Sequence, residues 1–298
     1  MNNGEFFPQT GIIAARCATD LSDIDDDSVA LTVTSPPYWN AIDYDRHADD
    51  AGSYYRSREY GLGYRGYEEY LDWLVAIMGG VRAKTRPGGV LALVVGTVLL
   101  DGTHYPLPMD LTGRLLGEGW AFRQDIIWHK VTAGVRRAGT FIQHPYPGYF
   151  HPNIMTEYIL LFTNPGPKIF ARRTRAEKRG AIFPIDDLFT REIANNVWHI
   201  PPVPPGHLDH PCPFPEEIPY RLMRLYTYPD DLVLDPFNGS GQTTKVAHHL
   251  GRRYIGYDIQ EEYSQLAATR LREPLAIRRR ALVARFEHLG RELPRDDS

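Results

Sequence analysis

Residues 232–244 read LVLDPFNGSGQTT. The first three are apolar and suit a buried strand; the glycines at 239 and 241 separate that strand from a predicted helix over 243–250. Glycine between a strand and a helix lets the backbone approach a ligand closely, and the helix N-terminus offers free N–H groups to an anion. Residues 254–257, YIGY, predict the next strand, and Asp258 closes it. An acid at that place can accept hydrogen bonds from ribose hydroxyls. The stretch therefore outlines a nucleoside-cofactor site in an α/β fold.

The kind of cofactor follows from what is present and what is missing. A dinucleotide fingerprint needs a third glycine, and Gln242, Thr243 and Thr244 follow Gly241 instead. No phosphate loop of the G-x-x-x-x-G-K-[ST] type occurs. Asp235 would repel a pyrophosphate but suits an ammonium group. A ligand with an adenosine and an amino-acid tail fits best, which points to S-adenosylmethionine.

The same rhythm of strands and helices runs back toward the N-terminus. Residues 29–33, VALTV, predict a buried strand that Pro36 must stop, because proline lacks a donor and fixes φ. Tyr67, Leu71, Leu74, Val75, Met78 and Val81 fall at helical spacing, and residues 86–89, RPGG, are expected to end that helix. Residues 90–95 form an apolar run suited to a parallel strand buried on both faces. A short helix over 107–116 and strands over 121–128 and 156–163 complete an α/β layered sheet. Two segments break the pattern. Residues 40–66 are rich in Tyr, Gly, Asp and Arg; residues 164–219 are rich in proline and carry Lys168, Arg172, Arg173, Arg175, Lys178 and Arg179. Long irregular segments in compact domains usually carry function, so substrate contacts are expected there.

Bulk composition narrows the class. The chain has 298 residues, 43% of them hydrophobic, which is ordinary for a globular protein. A net charge of −4 means that any nucleic-acid surface must be local. Two cysteines, Cys17 and Cys212, build no disulfide framework and suggest a reducing compartment. The N-terminal MNNGEFFPQT has no signal-peptide pattern, and the apolar run over 88–100 is too short to span a bilayer. A soluble, cytoplasmic protein is expected.

Four motifs in order resemble the β group of DNA amino-methyltransferases. Residues 34–38, TSPPY, resemble the catalytic [DNS]-P-P-[YFW] motif. Residues 235–241 resemble the cofactor motif, residues 210–215, HPCPFP, the segment before it, and residues 254–258 the strand with an acidic end. The resemblance covers nearly the whole chain. It implies a doubly wound, mostly parallel sheet with one reversed strand, in a single catalytic domain over 1–298 with a target-recognition segment at 164–209. It also implies S-adenosylmethionine as cofactor and double-stranded DNA as partner. A homodimer and a cognate restriction endonuclease are further partners it suggests.

On this reading Ser35, Pro36, Pro37 and Tyr38 are catalytic. An exocyclic amine is a poor nucleophile because its lone pair is shared with the ring. The Ser35 hydroxyl oxygen and the Pro36 carbonyl can hold the amine hydrogens so that density returns to nitrogen, and the prolines keep those acceptors in place. The base must leave the duplex to reach them, and Tyr38 can stack on it. Asp235, Pro236, Phe237, Gly239, Ser240, Gly241, Thr243 and Asp258 are the cofactor candidates, joined by His210 and Phe214. Arg136, Arg137 and the six basic residues of 168–179 are the DNA-contact candidates, since basic side chains grip phosphates. Serine before Pro-Pro-Tyr favours cytosine N4 over adenine N6 as the target. A non-catalytic DNA-binding protein of the same fold is the reading from another class; intact Ser35–Tyr38 and Asp235 argue against it. One departure stands out: the family often carries Gly-Asp where this chain has Ala15-Arg16, with Asp20 the nearest acid, so the adenine contact is left open. Pro211-Cys212 lies outside the catalytic slot, and Cys212 is expected to be a small packed residue. His199, His207, His210 and Cys212 match no zinc spacing, so no metal is expected.

Overall fold

The computed structural model describes residues 11–37, 39, 66–100, 103–130, 147, 154–204, 207, 208, 210 and 212–278. The strands in chain order are β1 (Gly11–Ala15), β2 (Val29–Thr34), β3 (Thr85–Val95), β4 (Val98–Leu100), β5 (Thr103–Tyr105), β6 (Ala121–His129), β7 (Thr156–Thr163), β8 (Val197–His199), β9 (Leu232–Asp235) and β10 (Arg253–Asp258). The helices are α1 (Tyr67–Lys84), α2 (Leu107–Gly117), α3 (Arg175–Gly180), α4 (Glu217–Tyr226), α5 (Gln242–His249) and α6 (Glu261–Arg270).

Eight strands form one sheet in the order β1-β10-β9-β2-β3-β7-β6-β8. Neighbours from β1 to β3 are parallel, β7 is antiparallel to both β3 and β6, and β8 is parallel to β6. Only β7 runs backward, so the expected doubly wound sheet with one reversed strand is what forms. The central strands β2, β3 and β9 are buried on both sides because both sides are covered. Leu91, Leu93 and Val95 of β3 pack with α1 and α2 on one face, while Val90, Ala92 and Val94 pack with α4 and α5 on the other. Period-two alternation feeds two cores from one strand.

The direction of each strand places the connections. The carboxyl edge of the sheet carries Thr34, Val95, Asp235 and Asp258, the last residues of four parallel strands. The central pair matters most: β2 and β9 are neighbours, with Thr32 opposite Leu234. Two segments that lie far apart in the chain thus end side by side, in the crevice where open α/β sheets bind ligands.

Several sequence expectations shift. Residues 86–89 do not merely end α1; they bulge out of the β2–β3 ladder inside β3, which resumes at Val90 opposite Leu31. Gly88, at φ 83°, lets that bulge meet the Pro167 carbonyl, where a Cβ would sit 2.0 Å away. The irregular stretch 164–219 contains α3, the sheet strand β8 and the start of α4. Helix α4 hides in sequence because its buried face holds Glu217 and Arg221, a paired i,i+4 ion pair, beside Ile218, Leu222 and Met223. Residues 274–278 form no helix, and Ala276 donates its N–H to Glu216.

Candidate functional site

The site starts from the last residue of β2. The Thr34 hydroxyl donates a 2.6 Å hydrogen bond to Oδ1 of Asp235, across 201 residues of sequence. The Phe237 amide donates to the same oxygen at 3.1 Å. The second oxygen, Oδ2, is buried and has no hydrogen-bond partner among the described residues. A buried carboxylate left half-satisfied is costly, and burial pushes the Asp235 pKa up to about 6, against the opposing effect of the Thr34 and Thr243 hydroxyls. An ammonium group against Oδ2 would reverse that penalty.

The glycine loop wraps this acid. Gly239 and Gly241 sit at φ 45° and 80°, conformations that L side chains rarely adopt. A Cβ on Gly239 would lie 2.5 Å from the His210 ring, and one on Gly241 would lie 2.6 Å from Ala267. His210 thus caps the loop, and its ring lies 4.8 Å from that of Tyr263. The Gly239 amide donates to Asp258 at 3.0 Å, and the Gln260 amide donates to its other oxygen at 2.9 Å. Burial raises the Asp258 pKa, although these amides oppose the shift. Ser240 is buried and its hydroxyl has no partner among the described residues. The Phe214 carbonyl accepts from the Gln242 side chain at 2.7 Å, which ties the 210–215 segment to the loop. Thr243 faces the sheet: its hydroxyl donates to the Val33 carbonyl at 3.0 Å and anchors α5 to β2.

The catalytic motif lines the same cleft. Ser35, His210, Phe214, Phe237, Gly239 and Ser240 all border it. The Ser35 hydroxyl donates to the Val94 carbonyl at 3.0 Å. Its proton is therefore committed to the neighbouring strand, and its lone pairs remain as acceptors. Tyr70 of α1 donates its hydroxyl to the Pro37 carbonyl at 2.9 Å. Pro36 and Pro236 are buried beside their respective acceptor and acid. Tyr38 lies outside the described residues, as do Arg136 and Arg137.

Arg16 ends where an acid was looked for. Its amide donates to the Asp258 carbonyl at 2.7 Å, and its guanidinium pairs with Asp23 at 2.7 Å and Asp20 at 3.4 Å. The nearby acids are thus held by Arg16. Cys212, expected to be packed, is exposed at the rim of the cleft. Behind the loop, sequence reasoning missed Arg270. This buried guanidinium donates to the Ser240 carbonyl, the Gln242 side chain and Glu216, and Glu216 also takes a 2.7 Å bond from buried Lys245. Nothing in the spacing of α6 signals that role.

The basic segment lies elsewhere. It follows β7, the reversed strand, and so leaves the sheet at the amino edge. Asn164 exchanges backbone bonds there with Gly88 and Gly89, and Arg173 pairs with Asp231, just before β9. Arg86 pairs with the same Asp231 at 2.9 Å. Of the six basic residues, Arg173 is held at Asp231 on the amino edge, away from the end of β2 that carries the catalytic motif. Charge marked the segment, but strand direction set its place.

The comparisons decide the family. The model of the N6/N4 DNA methylase family matches residues 29–269. The chain belongs to that family. It is 31% identical over 263 residues to the Type II methyltransferase M.BglII of Bacillus subtilis, covering 83% of this chain and 64% of that relative's length. It is 26% identical over 291 residues to M.MthZI of Methanothermobacter thermautotrophicus, covering 90% and 78%. Among solved structures, a candidate DNA modification methylase from Thermus thermophilus superposes with a TM-score of 0.65 at 31% identity, over 87% of this chain and 94% of that one. The same Thermus protein has been solved in complex with S-adenosyl-L-methionine. The cytosine-N4-specific PvuII DNA methyltransferase shares the fold, with a TM-score of 0.63 at 21% identity over 90% and 88% of the two chains. No helix among the described residues of this methylase is long and apolar enough to cross a membrane.

Proposed function

We propose that this methylase transfers a methyl group from S-adenosylmethionine to the exocyclic N4 amine of cytosine in double-stranded DNA. The observation that carries the reading is the pairing of Ser35, its proton committed to Val94, with an orphaned Asp235 carboxylate oxygen on the adjacent strand. One is an acceptor for an amine; the other awaits a cation.

The cofactor fits the residues present. Asp235 would take its ammonium, Asp258 its ribose hydroxyls, and the loop 239–241 would lie along it under His210. The group supplies an electrophilic methyl on sulfur, so neither a metal nor a covalent enzyme intermediate is required. The chain supplies alignment and polarisation. Ser35 and the Pro36 carbonyl accept the two amine hydrogens, which localises the nitrogen lone pair. The nitrogen lone pair would form the new N–C bond as the sulfur–methyl bond breaks and its electron pair returns to sulfur, leaving a neutral thioether, and one amine proton would then leave to solvent.

Serine at the first motif position supports cytosine. Both acceptors would also take the N6 amine of adenine, so the base is the finer part of the proposal. Plasmid DNA incubated with the protein and S-adenosylmethionine, then digested to nucleosides and read by mass spectrometry, tests both. N4-methylcytosine is expected, with the rate falling at least about 100-fold in Ser35→Ala. N6-methyladenine would keep the site and overturn the base. No methylated base, with cofactor binding intact, would overturn DNA as substrate.

A further inference from the structure

We propose that Tyr70 is a positioning residue for the target base, acting through the Pro37 carbonyl; this rests on the methyl-transfer reading above. The physical reason begins with torsions. Pro36 and Pro37 have φ fixed by their rings. Ser35 and Pro36 each precede a proline, which also restricts their ψ to the extended region. From ψ of Ser35 onward, ψ of Pro37 is the soft torsion these rules leave, and it sets both the direction of the Pro37 carbonyl and the course of the chain beyond it. The Tyr70 hydroxyl holds that carbonyl at 2.9 Å. One hydrogen bond from α1 thus removes the freedom that two prolines cannot remove.

Tyr70 is built for constancy. It is 2% exposed, so its ring is fixed in the core and its hydroxyl is held toward Pro37. Burial raises its pKa, and the hydroxyl remains a donor through the working range. Its ring lies 6.0 Å from that of Trp73, which in turn lies 5.8 Å from Phe237 in the cofactor loop. The face of α1 that braces the catalytic motif therefore also touches the cofactor motif. Tyr67, one turn earlier, provides an internal contrast: its hydroxyl donates to Asp110 at 2.8 Å and not to the motif.

The test compares Tyr70→Phe and Tyr67→Phe with wild type in the full chain. Turnover is followed on plasmid DNA at saturating cofactor, with the Kd for S-adenosylmethionine by calorimetry and the thermal midpoint beside it. Tyr70→Phe is expected to lower kcat about tenfold with the cofactor Kd within about twofold, because a chain freed at Pro37 misaligns the target base, which costs rate rather than cofactor binding. Tyr67→Phe is expected to stay within about twofold in kcat. Equal losses in the two variants would mean general packing and overturn the role, as would an unchanged kcat in Tyr70→Phe. A drop that tracks the cofactor Kd instead of kcat would overturn it too. An inactive wild type would overturn the methyl-transfer reading itself, and the positioning role with it.

Discussion

The two motif loops and the basic segment look alike in sequence: each is irregular, polar and suited to a nucleotide or its phosphates. They end at opposite edges of one sheet. Residues 35–37 and 236–241 leave parallel neighbours, β2 and β9, whose last residues, Thr34 and Asp235, share a hydrogen bond. Residues 164–180 leave β7, the one strand that runs backward, and fold against the starts of β3 and β9. Composition reports what a segment can bind. Strand direction reports whether it can take part in chemistry at the carboxyl edge.

The sharpest way to break this contrast is to remove the charge at the carboxyl edge. Asp235→Asn is expected to weaken S-adenosylmethionine binding about 100-fold, as a charge-assisted bond in a buried site is lost. The same change should stabilise the free protein. The folded-state pKa of about 6 lies above the ordinary 3.8, so ionisation opposes folding. Stability contributed by the protonated acid is full below about pH 4 and is lost as pH rises through 6. At pH 7 the Asn variant should gain up to about 3 kcal/mol, read by urea unfolding without cofactor. Wild-type cofactor affinity should fall as pH drops below about 6, and the variant should lack that step. A variant no more stable than wild type would show that the orphaned oxygen carries no penalty.

An effect on stability alone, away from the cofactor, is expected one layer behind the loop. Arg270→Met leaves the Ser240 carbonyl and Glu216 without their guanidinium in a buried setting. A loss of about 3–5 kcal/mol in urea unfolding is expected, because breaking a buried ion network strands a charge. Stability within about 1 kcal/mol of wild type would show that Lys245 and the Ala276 amide suffice for Glu216.

The smallest effect belongs to the amino edge. Reversing charge at Arg172, Arg175 and Arg179 to Glu is expected to change kcat/KM on DNA less than about twofold at physiological salt. A tenfold loss would place DNA across both edges and end the contrast between them. Phosphate contacts made by these residues would also steepen the salt dependence of binding, which the variant would then lose.

Much of the site was legible because its chemistry is written in neighbouring residues. Ser35-Pro36-Pro37 and Asp235 with its glycines carry their geometry locally, in fixed φ values and in positions that only glycine tolerates. Thr34 was in plain view within the quoted motif, yet its partner was not, since nothing local says that β2 and β9 are adjacent. Tyr70 was not singled out within its helix, because a core tyrosine and a bracing tyrosine share the same spacing. Arg270 and Glu216 carry no local signal, since isolated charged residues are usually exposed, and burial pairs them here. Helix α4 was missed for the same reason: its inward face contains an ion pair, which reads as polar until the partner is seen.

By itself the sequence determined the alternation of strands and helices, the two motif loops, the suitability of Asp235 for a cation and the class of methyl donor. Those follow from local rules: hydrophobic periodicity, the torsions of proline and glycine, and the charge of single side chains. The tertiary structure alone decided that Thr34 faces Asp235, that Val94 takes the Ser35 proton, that Tyr70 holds Pro37, and that the basic segment sits away from all of them. Each of those depends on which strands are neighbours and which way they run, and burial between layers sets that order across hundreds of residues of chain.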